Sequence, residues 1–192
     1  MTLQATLITD GSSDTVLMPI LRWLLGTLTS EPVELRWGDL RGLTAPPKGL
    51  RARLACAVEL YPCRVLFVHR DAEKQPAEER HHEILQENTT GIPHVGVVPV
   101  RMQEAWLLHD AVALRVAAGR PSGKEPLGLP PPMRWEGLPD PKRALHEALM
   151  VASAATGRRA KRFNAGAAAH RLADLVSDWS PLRQLSAFRR LE

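Results

Sequence analysis

Apolar positions along the first hundred or so residues switch repeatedly between two periods. Leu3 to Thr9 (LQATLIT) is an apolar, β-branched run that stops at Asp10-Gly11-Ser12-Ser13-Asp14. Val16, Leu17, Ile20, Leu21, Trp23, Leu24 and Leu25 then follow at helical spacing. This predicts strand, tight turn, helix. The cycle repeats: Val33 to Trp37 alternates as a strand does, and Lys48 to Tyr61 carries Leu50, Leu54, Ala55, Val58 and Leu60 as a helix would. Arg64 to His69 (RVLFVH) is almost continuously apolar, the pattern of a strand buried on both faces. Asp71-Ala72-Glu73-Lys74 ends it, and Pro76 to Asn88 reads as a charged helix. Val95 to Val100 predicts a fourth strand, and Glu104 to His109 opens a helical stretch that continues from Ala111 to Ala118. Strands alternating with helices predict an α/β fold, a mostly parallel sheet of about four strands flanked by helices and joined by right-handed crossovers.

The pattern changes after Ala118. Prolines crowd the segment from Gly119 to Pro141, and helical spacing returns over Pro141 to Ala155, Ala167 to Asp178 and Pro181 to Leu191. The expected organisation is an α/β domain over 1–118, a stiff proline-rich connection over 119–141 and a small helical C-terminal cap over 142–192. A chain of 192 residues suits one well-buried core with such an appendage.

Composition narrows the function classes. No apolar run reaches the roughly 18 residues of a membrane span, so no membrane partner is expected. The opening MTLQATLITDG lacks a basic region ahead of a long apolar stretch, and Cys56 and Cys63 lack the paired spacing of a zinc site. Both features predict a cytoplasmic protein. There is no GxxxxGK[ST] loop for ATP hydrolysis and no GxSxG elbow or Cys-His nucleophile. The net charge is +4, and the last third carries Arg158, Arg159, Lys161, Arg162, Arg171, Arg183, Arg189 and Arg190. That distribution points to a polyanionic partner such as DNA or RNA. A solvated arginine-rich surface is the plainer alternative.

The acids are placed more tellingly. Open parallel sheets bind ligands at the carboxyl ends of their strands. Asp10 follows the first predicted strand and Asp14 lies about a turn later; Asp71 and Glu73 follow the third, and Glu104 the fourth. Carboxylates gathered on one rim repel each other unless a cation compensates, and hard divalent ions prefer such oxygens. Mg²⁺ or Mn²⁺ is therefore the expected cofactor, with phosphate chemistry as its use. Each acid except Asp71 also has a plainer role: Asp14 as a helix cap, Asp10 as a turn residue, Glu73 in solvent beside Glu78 and Glu79, and Glu104 paired with Arg101. His81 and His82 point about 100° apart on a helix and do not make a ligand pair. His69 is either a buried strand histidine or a proton-handling neighbour of the site.

Asp10-Gly11-Ser12-Ser13-Asp14 after a strand resembles the first motif of the Toprim fold, an acid and a glycine with a second acid a turn later. Asp71-Ala72-Glu73 resembles its paired-acid second motif. Val98 to Leu108 (VPVRMQEAWLL) resembles the glutamate-containing segment of small Toprim-like proteins, which include DUF4276-type stand-alone proteins and the nuclease half of overcoming-lysogenization-defect nucleases. The resemblance covers roughly residues 3 to 115. It implies a Toprim-like nuclease in which Asp71, Glu73 and Glu104 ligate the metal, Asp10 is the general acid/base or a further ligand, and Asp14 is an outer ligand. It also implies a defence-related setting with a partner ATPase. Two departures from the family pattern motivate a second expectation. Asp10 stands where the family usually has Glu, one methylene longer, and the second motif ends in Glu and follows His69-Arg70. A chain so altered would be a non-catalytic module that docks on protein or nucleic acid through its proline-rich stretch and basic tail. Hydrolysis of a small phosphorylated metabolite is a third expectation.

Overall fold

A computed structural model describes every residue from Met1 to Glu192. The contacts divide it into two compact units, residues 1–98 and residues 99–190.

The first unit is a Rossmann-like α/β layer. Its elements are β1 (Leu3–Ile8), α1 (Leu17–Leu28), β2 (Val33–Trp37), α2 (Leu50–Leu60), β3 (Val65–His69), α3 (Ala77–Glu87) and β4 (His94–Val97). All neighbouring strands pair in parallel, in the order β2-β1-β3-β4. The two central strands are the ones with the longest apolar runs, because they are covered on both faces. On one face Ile8, Leu66 and Val68 meet Leu50, Leu54 and Ala57 of α2 and Ile84 of α3. Leu7 and Phe67, one residue out of phase, are buried on the opposite face, where the right-handed crossover rule places α1. Thr6 is polar yet fully buried, and its hydroxyl donates to the carbonyl of Tyr61 at 3.0 Å.

Gly38, just beyond β2, approaches this core closely. Its N–H extends the ladder to Leu7 O at 2.9 Å, and a Cβ there would land on Ile8 Cδ1. Gly38→Ala should therefore cost about 1–3 kcal/mol, the usual penalty for overpacking. Shortening the obstructing side chain should relieve part of it, so denaturation midpoints of Gly38→Ala, Ile8→Val and the double variant should be non-additive. Simple additivity would remove the steric explanation.

The fourth strand ends at Val97, three residues before its predicted end, because Pro99 has no N–H to give a ladder. The helix predicted from Glu104 is also shorter. Residues Gln103–Leu107 form a 3₁₀ turn, and α4 (Ala111–Ala117) starts afresh because the Asp110 side chain accepts from the N–H groups of Val112 and Ala113.

The second unit is helical: α4, α5 (Pro141–Ser153), α6 (Gly157–Arg162), α7 (Ala165–Leu175) and α8 (Ser186–Leu191). Helices α4, α5 and α7 pack on one another, and the 103–107 turn packs on α5 and α7. The proline-rich segment is anchored by Trp135, which is buried and donates its indole N–H to Pro130 O at 2.8 Å. Glu136 then caps α8 by accepting from the backbone of Ser186 and Ala187. No helix is long and apolar enough to cross a membrane.

His109 lies against Trp179 and Trp135, with ring centroids at 5.1 and 6.3 Å, and its Nε2 has no partner. Burial holds its pKa below the ordinary value, partly opposed by Asp110 and Asp178. The neutral ring's contribution is thus fully present above the unfolded histidine pKa, about 6.5, and is lost as pH falls through the lower folded value. Thermal melts should show stability falling below about pH 6.5, with the slope reduced in His109→Gln. An unchanged slope would mean that other groups carry it.

Candidate functional site

Strand order reverses direction at β1 and β3. The chain leaves β1 to one side to make β2, and β3 and β4 then build on the other side. The carboxyl ends of strands at such a switch point are where ligands bind in open α/β sheets. The pairing of Ile8 with Val68 sets the register there, and counting on from it brings Asp10 beside Arg70.

Asp10 has a side chain about half exposed, and two guanidinium groups hold it. Arg53 Nη1 lies 2.6 Å from its Oδ1 and Arg70 Nη1 lies 3.4 Å from the same atom. Arg53 also donates to Thr9 O, so one arginine of α2 grips both the end of β1 and the acid that follows it. Arg70 continues to Glu83 at 3.2 Å, and Glu83 to Arg80 at 3.0 Å. Arg80 in turn donates to Asp71 O at 3.2 Å. A chain of alternating charges thus runs from β1 across to α3 and back to the end of β3. Partly exposed pairs of this kind, still screened by solvent, act mainly to orient the groups.

Asp71 faces His69. The imidazole is buried beneath the rim, with Nδ1 2.9 Å from Val97 O and Nε2 3.5 Å from Asp71 Oδ1. A carbonyl only accepts, so Nδ1 carries the proton of that bond and Nε2 is the nitrogen turned to the carboxylate. Asp14 is directed inward. Its Oδ2 accepts from Gly11 N–H and its Oδ1 from the Ser13 hydroxyl, both at 2.9 Å. That is one half of a capping box closing the turn at Ser12–Val16, the plainer role available to Asp14. Glu73 is exposed on the turn after β3 with a positive φ of 54°.

Glu104 belongs to the second unit. It is buried, its Oε1 lies 3.5 Å from Lys142 Nζ, and its Oε2 has no hydrogen-bond partner. The pairing with Arg101 considered from sequence is replaced by one with Lys142, because the 3₁₀ turn packs on α5. Trp106, Leu107 and Leu108 are core, as their apolarity implies.

Beside the rim, Thr9, Asp10, Trp37, Asp39, Arg41 and Arg53 line a pocket of about 270 Å³. Arg41 stacks over Trp37 at 4.7 Å and grips Asp39 with two 2.8 Å bonds. Those bonds hold the Asp39 carboxyl at a pKa of about 2, so it stays ionised. Tyr61, the one tyrosine, donates to Asp39 O at 3.0 Å and is structural.

Arg53 escapes a reading that follows acids at strand ends, whereas Asp39, two residues past the end of β2 as Asp10 is past β1, carries that same signal, which the sequence reading passes over. A signal for Arg53 exists: a cation near a helix N-terminus opposes the helix dipole, so its charge is used elsewhere. No three His, Cys, Asp or Glu side chains stand together as a metal cage. Mg²⁺ asks for less, commonly one or two carboxylates with water and phosphate oxygens completing its shell.

The fold and this rim define a Rossmann-like α/β protein with charged side chains at the carboxyl ends of its central strands. Comparison with protein-family models, curated proteins and solved structures finds no match.

Proposed function

We propose that the chain is a Toprim-like, divalent-metal-dependent phosphodiesterase acting on nucleic acid, working at the β1–β3 switch point in a defence-related setting. The observation that supports it best is the delivery of Asp10 and Asp71 to the ends of adjacent parallel strands with Arg53 and Arg70 beside them. Asp10 and Asp71 would hold Mg²⁺ or Mn²⁺, with Glu73 on the same turn as Asp71. When bound, the ion supplies Lewis acidity to the phosphate and acidifies water.

The chain's own groups would do the rest. Arg53 and Arg70 present planar donors suited to phosphate oxygens, exchanging part of their hold on Asp10 for the substrate. His69 orients the Asp71 carboxylate from below, and Arg80 holds the Asp71 backbone. Asp10, with its side chain about half exposed, would hold or accept a proton. The test is plasmid nicking with and without Mg²⁺ or Mn²⁺, using wild type, Asp71→Ala and Glu104→Ala proteins freed of host nucleases. Metal-dependent nicking that vanishes in Asp71→Ala is expected. Undiminished cleavage by that variant would end the proposal.

A second reading has its own observation. Asp10 is already balanced by two guanidinium groups and Asp14 is engaged as a cap, so the rim needs no cation to be stable. A non-catalytic module that docks on a nucleic acid or protein partner would have this property. Calorimetric titration with Mn²⁺ separates the two: no binding at millimolar ion favours the module, and saturable binding lost in Asp71→Ala favours the enzyme.

A further inference from the structure

We propose that the second unit carries a docking site for single-stranded nucleic acid, in which Arg159 and Arg162 take the phosphodiester backbone and Phe163 takes an unpaired base. The partner class rests on the nucleic-acid reading above, while the site is argued from residues of the second unit alone.

Charge is the first ground. Between Glu147 and Asp174 the chain has no acidic residue but carries Arg158, Arg159, Lys161, Arg162 and Arg171. Arg171 is engaged, donating to Ala117 O at the end of α4. The other four are exposed and make no hydrogen bond or ion pair. Most other arginines of the protein are not left so: Arg36, Arg41, Arg53, Arg70, Arg143 and Arg183 each hold a carboxylate. Four free cations within five residues form an electrostatic surface with no internal counter-charge, which suits a polyanion that releases counterions on binding.

Shape is the second ground. Arg159 and Arg162 are three residues apart on α6 and so share a face. Both line a cavity of about 870 Å³, with the half-buried Phe163 next to them. Arg120 and Glu125 stand in the same lining and pair with each other at 2.6 Å. The lining therefore keeps an excess of positive charge after its one carboxylate is counted. A concavity of this size accepts a nucleotide-sized group. A duplex keeps its bases stacked inside, whereas an unpaired strand can present a base to Phe163 while its phosphates lie along the arginines.

The test is fluorescence anisotropy with the full chain and a short labelled single-stranded DNA in EDTA, where metal-dependent cleavage cannot occur. Arg159→Ala/Arg162→Ala should bind about tenfold more weakly. Its log–log salt slope should be shallower by about 1.4, the loss of two phosphate contacts on a single strand. Phe163→Ala should weaken binding to the intact strand but not to an abasic strand of equal charge. Both arginines are exposed, so the double variant should melt as wild type does. Wild-type affinity and salt slope in the double variant, no binding by wild type, or duplex bound as tightly as single strand would each overturn the site. Wild-type binding that persists where the wild type shows no metal-dependent nicking would leave this site standing while the phosphodiesterase reading falls.

Discussion

Trp106→Ala should destabilise the helical unit by about 3–5 kcal/mol, the range for emptying a fully buried large aromatic position. Trp106 is only 1% exposed and meets Phe188 edge-on, with centroids 5.5 Å apart and planes at 81°. Alanine would leave a void where the 103–107 turn packs on α5 and α7. Domains are stable by only about 5–15 kcal/mol, so the loss would take a large share, and the melting temperature should fall by on the order of 10 °C. Trp106→Phe separates volume from polarity. The indole N–H is buried without a partner, so phenylalanine removes an unsatisfied donor while keeping most of the ring contact. Its cost in urea denaturation should be well under half that of alanine. Equal costs would show that the contact with Phe188 is not what Trp106 provides.

Asp71→Asn should abolish metal-dependent nicking, with a fall of about 100-fold or more as expected for removal of one positioned catalytic group. The fold should survive. His69 Nδ1 donates to Val97 O, and an asparagine amide at position 71, carrying both an acceptor oxygen and N–H donors, can meet Nε2 whichever role that nitrogen takes. Arg80 binds the backbone carbonyl at residue 71 and is indifferent to the side chain. Melting temperatures of wild type and Asp71→Asn should therefore match within the spread of ordinary surface substitutions, about 0.5 kcal/mol. A matched melt with lost nicking assigns chemistry to the carboxylate. A lowered melt with partial nicking would make Asp71 a structural residue.

The strands and helices were largely legible because their signals are local. Periods of two and of about 3.6 are written within a few residues, and the continuous apolar run RVLFVH marked β3 as central before any pairing was known. Where boundaries moved, a local backbone effect explains it. Pro99 ended β4 early, and Asp110 split one predicted helical stretch by capping the next. The basic run at Arg158 to Arg162, whose plainer reading was a solvated arginine-rich surface, forms the short helix α6, and only as a helix does the three-residue spacing put Arg159 and Arg162 on one face.

For the candidate rim, sequence determined that Asp10 and Asp71 end apolar strands, since a carboxylate cannot continue a run buried on both faces. It also supplied the capping chemistry that Asp14 uses. Tertiary structure alone decided the strand order, and with it that β1 and β3 are neighbours, so that Asp10 and Asp71 follow the ends of adjacent strands. It decided that Asp10 would meet Arg53, 43 positions away, and Arg70, 60 positions away. It also decided that Glu104 would face Lys142 and that residues 99–118 would pack with the helices that follow. The physical reason is one of range. Periodicity and capping act within a turn or two of chain, whereas the partner of a charge depends on which strand lies alongside, and that is set by how the apolar faces of distant segments are buried together.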